Sequence, residues 1–220
     1  MLNIGHRGAK GHVAENTIDS FLKAFELGAD GIELDVHLSA DGEAIVIHDE
    51  TVDRTIKNAA GFVKDFTVAE CQKLGIPTLV EVFHMLPENA FLNIEIKDVK
   101  ATEIVVEEIE KFERLGEIDY KNVLVSSFDW EVLKETKRLN QVIRLGVLTE
   151  GNLEEAVEFA KKIEAYSVNP WFKLLTPESV SLIREHKFQI HTFTVNSLED
   201  ITFVKNLGVD AIISDFPERV

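Results

Sequence analysis

Short apolar runs alternate with amphipathic stretches along the whole of this chain, and that rhythm limits its fold more than any other feature. Candidate strands lie at Leu2–Gly5, Gly31–Leu38, Ala44–His48, Phe91–Lys97, Val123–Phe128, Val142–Thr149, Ala165–Asn169, Phe188–Val195 and Ala211–Ser214. Helical periodicity fills most of the gaps. Ile18, Phe21, Leu22 and Phe25 form one face of a helix that Asn16 or Thr17 can cap and Gly28 can end. Thr78 with Glu81, and Asn152 with Glu155, have capping-box spacing, while Thr176 precedes a proline suited to a first helical position. Ser197 opens a helix through Ile201, Val204 and Leu207, stopped by Gly208.

One connection is different. Asp41-Gly42 sits between two alternating runs and is too short a link for a crossover helix, so Glu33–Leu38 and Ala44–His48 are predicted to pair as an antiparallel hairpin. With that hairpin in place of one crossover helix, eight parallel βα units remain. Eight such units in 220 residues predict one (β/α)₈ barrel spanning residues 1–220. A doubly wound sheet is the competing architecture, but no glycine-rich dinucleotide fingerprint follows any strand.

The ionisable residues are not scattered at random over this pattern. His6-Arg7 closes the first run, Glu33 and Asp35 share one face of the second, His48 ends the hairpin arm, and Glu95 and Lys97 share one face of the next strand. Residues two apart on a strand point the same way, about 6.6 Å apart along the chain. Charged side chains on inward faces must be paired or bind metal, and the C-terminal ends of barrel strands are where chemistry collects. Two proton-transfer groups, three clustered carboxylates and two cations make a set suited to cleaving a phosphodiester. Ser126-Ser127, Asn169, Asn196 and Ser214-Asp215 end later strands and can line the same pocket as secondary polar contacts. His37 is predicted to be partly solvated, His12, His84 and His186 to be surface residues, and His191 to be a satisfied core histidine.

Charge narrows the partners. A formal charge of −16 argues against a nucleic-acid surface and against docking on anionic membranes. No apolar stretch approaches a membrane span. Cys71 is the only cysteine, so no intrachain disulfide forms. With no charged and apolar leader before the first strand, the expectation is a cytoplasmic protein.

The motifs in order are His6-Arg7-Gly8, Glu15-Asn16-Thr17, Glu33-Leu34-Asp35-Val36, Asp41-Gly42, Ile47-His48-Asp49, Asp53-Arg54-Thr55, Ile76-Pro77-Thr78-Leu79, Glu95-Ile96-Lys97 and Thr194-Val195-Asn196. This series resembles the glycerophosphodiester phosphodiesterase family through nearly the whole chain. The resemblance implies a barrel that hydrolyses glycerophosphodiesters to an alcohol and sn-glycerol 3-phosphate. It assigns acid and base roles to His6 and His48, a divalent cation to Glu33, Asp35 and Glu95, and the phosphate to Arg7 and Lys97. The expected ion is Mg²⁺ or Ca²⁺, because oxygen-only ligands suit those hard cations. Phe193, where the family usually carries tryptophan, is expected in the substrate pocket with Asn169 and Ser126. The segment 51–90 is short where many relatives carry an insertion, which leaves leaving-group preference broad. Two other readings are a barrel phospholipase acting on intact lipids, which lacks an evident membrane-docking segment, and a catalytically silent metal and phosphate binder, which would not need both histidines.

Overall fold

The nine apolar runs become nine strands of one sheet in the computed structural model, which describes residues 1–220. They are β1 (Leu2–His6), β2 (Gly31–Leu38), β3 (Ala44–Val46), β4 (Phe91–Ile96), β5 (Val123–Ser127), β6 (Arg144–Thr149), β7 (Ser167–Pro170), β8 (Gln189–Thr192) and β9 (Ala211–Ser214). Eight run parallel in the circular order β1-β2-β4-β5-β6-β7-β8-β9, and β9 pairs with β1 to close the barrel. The exception is β3, which lies antiparallel on β2 with Val36 opposite Val46.

The helices are α1 (Ile18–Glu26), α2 (Val68–Lys73), α3 (Leu79–Met85), α4 (Thr102–Leu115), α5 (Trp130–Leu139), α6 (Leu153–Ile163), α7 (Pro177–Glu185) and α8 (Leu198–Asn206). Capping decides several starts. Thr78 and Glu81 satisfy each other's backbone N–H groups at α3, and Thr176 does the same with Ser179 at α7. At α1 the cap is Thr17, whose hydroxyl accepts from the Ser20 N–H. The crossover from β2 to β4 carries the hairpin arm first and then α2 and α3, so the hairpin stands at the start of an excursion that α3 completes.

Strand alternation sorts the side chains into two layers. Outward residues such as Ile32, Leu34, Val36, Ile94 and Ile96 meet the helices in a shell of 41 buried apolar residues. Inward residues make a much smaller lumen core of Ile4, Phe91, Leu124, Ala211 and Ile213. A third cluster, Ile45, Ile47, Val52, Val63, Cys71 and Ile76, anchors the segment after the hairpin. The shell therefore supplies most of the buried apolar surface. The lumen is left free to hold polar groups toward its C-terminal mouth. No helix is long and apolar enough to cross a membrane.

Candidate active site

Register brings the predicted residues together. His6 stands beside Glu33 across β1 and β2, and Asp35 beside Glu95 across β2 and β4. Immediately after β1 the chain turns through two left-handed residues, Arg7 at φ 51° and Gly8 at φ 81°. A side chain at Gly8 would meet the Ser20 backbone at 2.5 Å, which explains the glycine. The turn aims the Arg7 N–H at Glu33 Oε2, 3.0 Å away, while Ser20 Oγ donates to the Arg7 carbonyl at 3.0 Å.

Both histidines are held the same way. His6 Nδ1 donates to Asp215 Oδ1 at 2.6 Å, and His48 Nδ1 donates to Asp49 Oδ1 at 2.6 Å. A carboxylate on Nδ1 fixes the ring and leaves Nε2 as the nitrogen for exchange with a substrate. Burial pulls the His6 pKa below its ordinary value, against the raising effect of Asp215. Burial also lowers that of His48, opposed by Asp35 and Asp49. Each carboxylate is itself fixed. Asn196 donates to Asp215 Oδ2 at 2.8 Å, and Arg54 grips both oxygens of Asp49 at 2.5 and 3.0 Å. His37 is buried rather than solvated, because its Nε2 donates to the His48 carbonyl at 3.0 Å.

Glu33, Asp35 and Glu95 place one oxygen each within 4.8 Å of one another, all buried. Like charges this close, out of water, resist ionising together. Burial and then the Asp35 charge push Glu33 well above the carboxylate range and Glu95 up to about 7. Burial works against the Asp35 charge too, yet Lys97 and Arg7 hold its pKa below the ordinary value. Lys97 Nζ pairs with Glu95 and lies 3.1 Å from Asp35 Oδ1, while Arg7 Nε is 3.2 Å from Asp35 Oδ2. The cluster is thus one of oxygen donors kept from ionising together by their closeness, a set that fits a hard divalent cation.

A cavity of about 130 Å³ unites these groups. His6, Arg7, Glu33, His48, Glu95 and Lys97 line it with Asn93, Phe128, Glu150 and Phe193. Phe193 stands in that wall as the sequence suggests. Ser126 and Asn169 do not: both are fully buried inside the barrel, Ser126 Oγ donating to Asn93 Oδ1 at 2.8 Å and Asn169 accepting from Ser167 Oγ at 2.7 Å. Asn93, the partner of Ser126 and a β4 residue of the same parity as Glu95, does line the cavity.

Sequence reasoning missed four supports. Asn16 is not a helix cap but a buried side chain at φ 55°, donating to Asp35 Oδ2 at 2.9 Å. Glu15 accepts from Arg7 at 2.7 Å and from two nitrogens of Arg54 at 2.9 and 2.7 Å. Arg54 thereby ties Asp49, and through it His48, to the residue that holds Arg7. The available signals were Asp49 directly after His48, and the Glu15-Asn16 and Asp53-Arg54 motifs, whose partners only the fold reveals. His191 is buried as expected but not satisfied: its Nδ1 has no partner, and its ring packs edge-on to Phe91 and Tyr166.

Such a barrel, with paired imidazoles, cations and clustered acids at the strand ends, has the layout of an enzyme that handles an anionic substrate. The particular lineage is plain from comparison. Residues 6–219 match the model of the glycerophosphoryl diester phosphodiesterase family, and the chain belongs to that family. A glycerophosphodiester phosphodiesterase of Caldanaerobacter subterraneus is 41% identical over 234 residues, covering 100% of this chain and 96% of its own length. Among solved structures, a glycerophosphodiester phosphodiesterase of Thermotoga maritima superposes with TM-score 0.86 at 32% identity, covering 99% of this chain and 96% of the other. An Oleispira antarctica phosphodiesterase in complex with the product sn-glycerol-3-phosphate gives TM-score 0.88 at 25% identity, covering 98% and 93%.

Proposed function

We propose that this protein hydrolyses glycerophosphodiesters to an alcohol and sn-glycerol 3-phosphate by two-histidine acid and base catalysis beside a divalent cation. The observation that carries this reading is the single cavity lined by two carboxylate-backed imidazoles, two cations and the acids Glu33 and Glu95, with Asp35 buried against them. Full-length relatives named for the activity support it.

Glu33, Asp35 and Glu95 would hold Mg²⁺ or Ca²⁺, which when bound supplies charge neutralisation for the phosphodiester. Arg7 and Lys97 add fixed positive charge at the phosphate oxygens, Arg7 as a planar fork and Lys97 as a point charge. One histidine takes the proton from the glycerol hydroxyl next to the phosphoryl oxygen. That oxygen attacks phosphorus, the bond to the leaving alcohol breaks, and the other histidine protonates the departing oxygen. Water then opens the resulting cyclic phosphate with the two histidines exchanging roles. Asp49 and Asp215 keep each ring in the tautomer that presents Nε2 throughout.

The test is release of sn-glycerol 3-phosphate from purified protein, before and after chelation. Chelation is expected to abolish release and Mg²⁺ or Ca²⁺ to restore it. Glu33→Gln and Glu95→Gln should raise the metal concentration needed for half-maximal rate. Full activity in metal-stripped protein would remove the cation from this reading.

A further inference from the structure

Seven ionisable side chains line the catalytic cavity, and six are engaged with one another or with a buttress: His6, Arg7, Glu33, His48, Glu95 and Lys97. The seventh is Glu150, directly after β6, exposed and free of any ion pair or side-chain hydrogen bond. A bare carboxylate is a poor neighbour for a phosphodiester anion unless the ligand itself brings a cation. Its position gives that cation room. In the circular strand order β6 lies directly opposite β1, so Glu150 faces the cavity from the far side of the barrel mouth to His6 and Arg7.

Two aromatic rings line the same cavity. Phe128, after β5, is 43% exposed, and its ring centroid lies 5.7 Å from that of Phe193 in an edge-to-face pair. Lys97 Nζ already sits 5.9 Å from the Phe128 centroid, so the ring lies within range of an ammonium group. A carboxylate that lines one cavity with aromatic rings is an arrangement that recognises alkylated ammonium ions. The whole chain points the same way. At −16 it repels an anionic diester, whereas a diester with a cationic alcohol carries no net charge.

We propose that Glu150, Phe128 and Phe193 form a subsite for the leaving alcohol that selects amino- and trimethylammonio-alcohols, so that zwitterionic glycerophosphodiesters are the preferred substrates. This rests on the phosphodiesterase reading and narrows it. The short segment 51–90 by itself favours a broad leaving-group preference; selectivity enters from the opposite wall.

The experiment compares kcat/KM for glycerophosphocholine, glycerophosphoethanolamine and glycerophosphoglycerol in the native protein and in Glu150→Gln, Glu150→Lys and Phe128→Leu. The native protein is expected to favour the two cationic diesters over glycerophosphoglycerol by about tenfold. That ratio should fall about fivefold in Glu150→Gln, more in Glu150→Lys, and in the same direction in Phe128→Leu, the scale of one exposed ion pair or cation–π contact. Hydrolysis of all three diesters with one and the same ratio in native protein and Glu150→Gln would overturn the subsite and leave the phosphodiesterase reading standing. Failure of the native protein to cut any of the three would overturn both.

Discussion

A histidine proposed to move protons depends on the group holding its other nitrogen, and His6 and His48 each have a carboxylate there at 2.6 Å. His6→Ala and His48→Ala are each expected to lower kcat by about 10²- to 10⁴-fold with the fold retained. Steady-state assays and thermal melts check this together, and near-normal turnover in either variant would dismiss that residue from proton transfer. Arg54 acts one step back, as a fork joining Asp49 to Glu15. Arg54→Ala should cost about tenfold in kcat with little change in KM, and Arg54→Lys should not restore it, because one ammonium cannot grip two carboxylates bidentately. The side chain is 47% exposed, so added guanidinium can reach the gap and should recover part of the rate. No recovery, together with a lowered melting temperature, would make the fork a stability feature. The acids were legible in the sequence because Glu33 with Asp35, and Glu95 with Lys97, share a strand face two residues apart, and the histidines because each closes an apolar run. Asn16 and Glu15 were not. Their partners lie on β2 and in the loop after β3, and Asn16 next to Thr17 satisfies the ordinary cap pattern equally well.

At the scale of elements, short apolar runs between amphipathic stretches located all nine strands, and Asp41-Gly42 located the one reversal. Alternation says which residues share a face, but it does not say how deep in the barrel each one lies. That is why Ser126 and Asn169, expected to line the pocket, turn out to be fully buried and outside its wall. Depth is set by the stagger between strands, which no single strand's sequence contains. The same stagger makes Gly146 necessary. A side chain there would meet Asn169 Nδ2 at 2.8 Å and Leu124 Cδ2 at 3.0 Å. Gly146→Ala is therefore expected to destabilise by about 1–3 kcal/mol, the usual cost of overpacking a filled interior. Calorimetry would show this as a melting temperature lower by roughly 2–10 °C. A variant melting at the native temperature would mean the lumen has slack at that level.

At the scale of the whole molecule, two buried titratable groups remote from the cavity, His191 and Glu108, act in opposite senses. Burial lowers the His191 pKa to about 4. The unfolded chain takes up a proton there below about 6.5 while the folded one does not. Stability is thus lost as pH falls from about 6.5 to about 4, by roughly 3 kcal/mol at most. Burial, and then Glu43, push Glu108 of α4 up to about 8, and its Oε2 has no partner. The unfolded chain releases that proton above about 4.5, so stability is lost as pH rises from there through about 8. His191→Phe should flatten the acid limb of a plot of melting temperature against pH, and Glu108→Gln the alkaline limb. An unchanged limb in either variant would reassign that part of the curve to other groups.

Closure of the barrel by β1 on β9 also has a meaning in time. The bond between His6 and Asp215 joins residues 209 apart in the chain, so it forms only when the first and last strands have met. Bringing such distant segments together is the slow part of folding a sheet of this kind. Helices and most parallel pairs can be in place while the His6–Asp215 pair is still in two pieces. In refolding from denaturant, far-ultraviolet dichroism is expected to recover before catalytic activity, and recovery of both in a single phase would deny the order. On the proposed reading, a copy whose first and last strands have not met lacks the His6–Asp215 pair, and closing the barrel is what completes its chemistry.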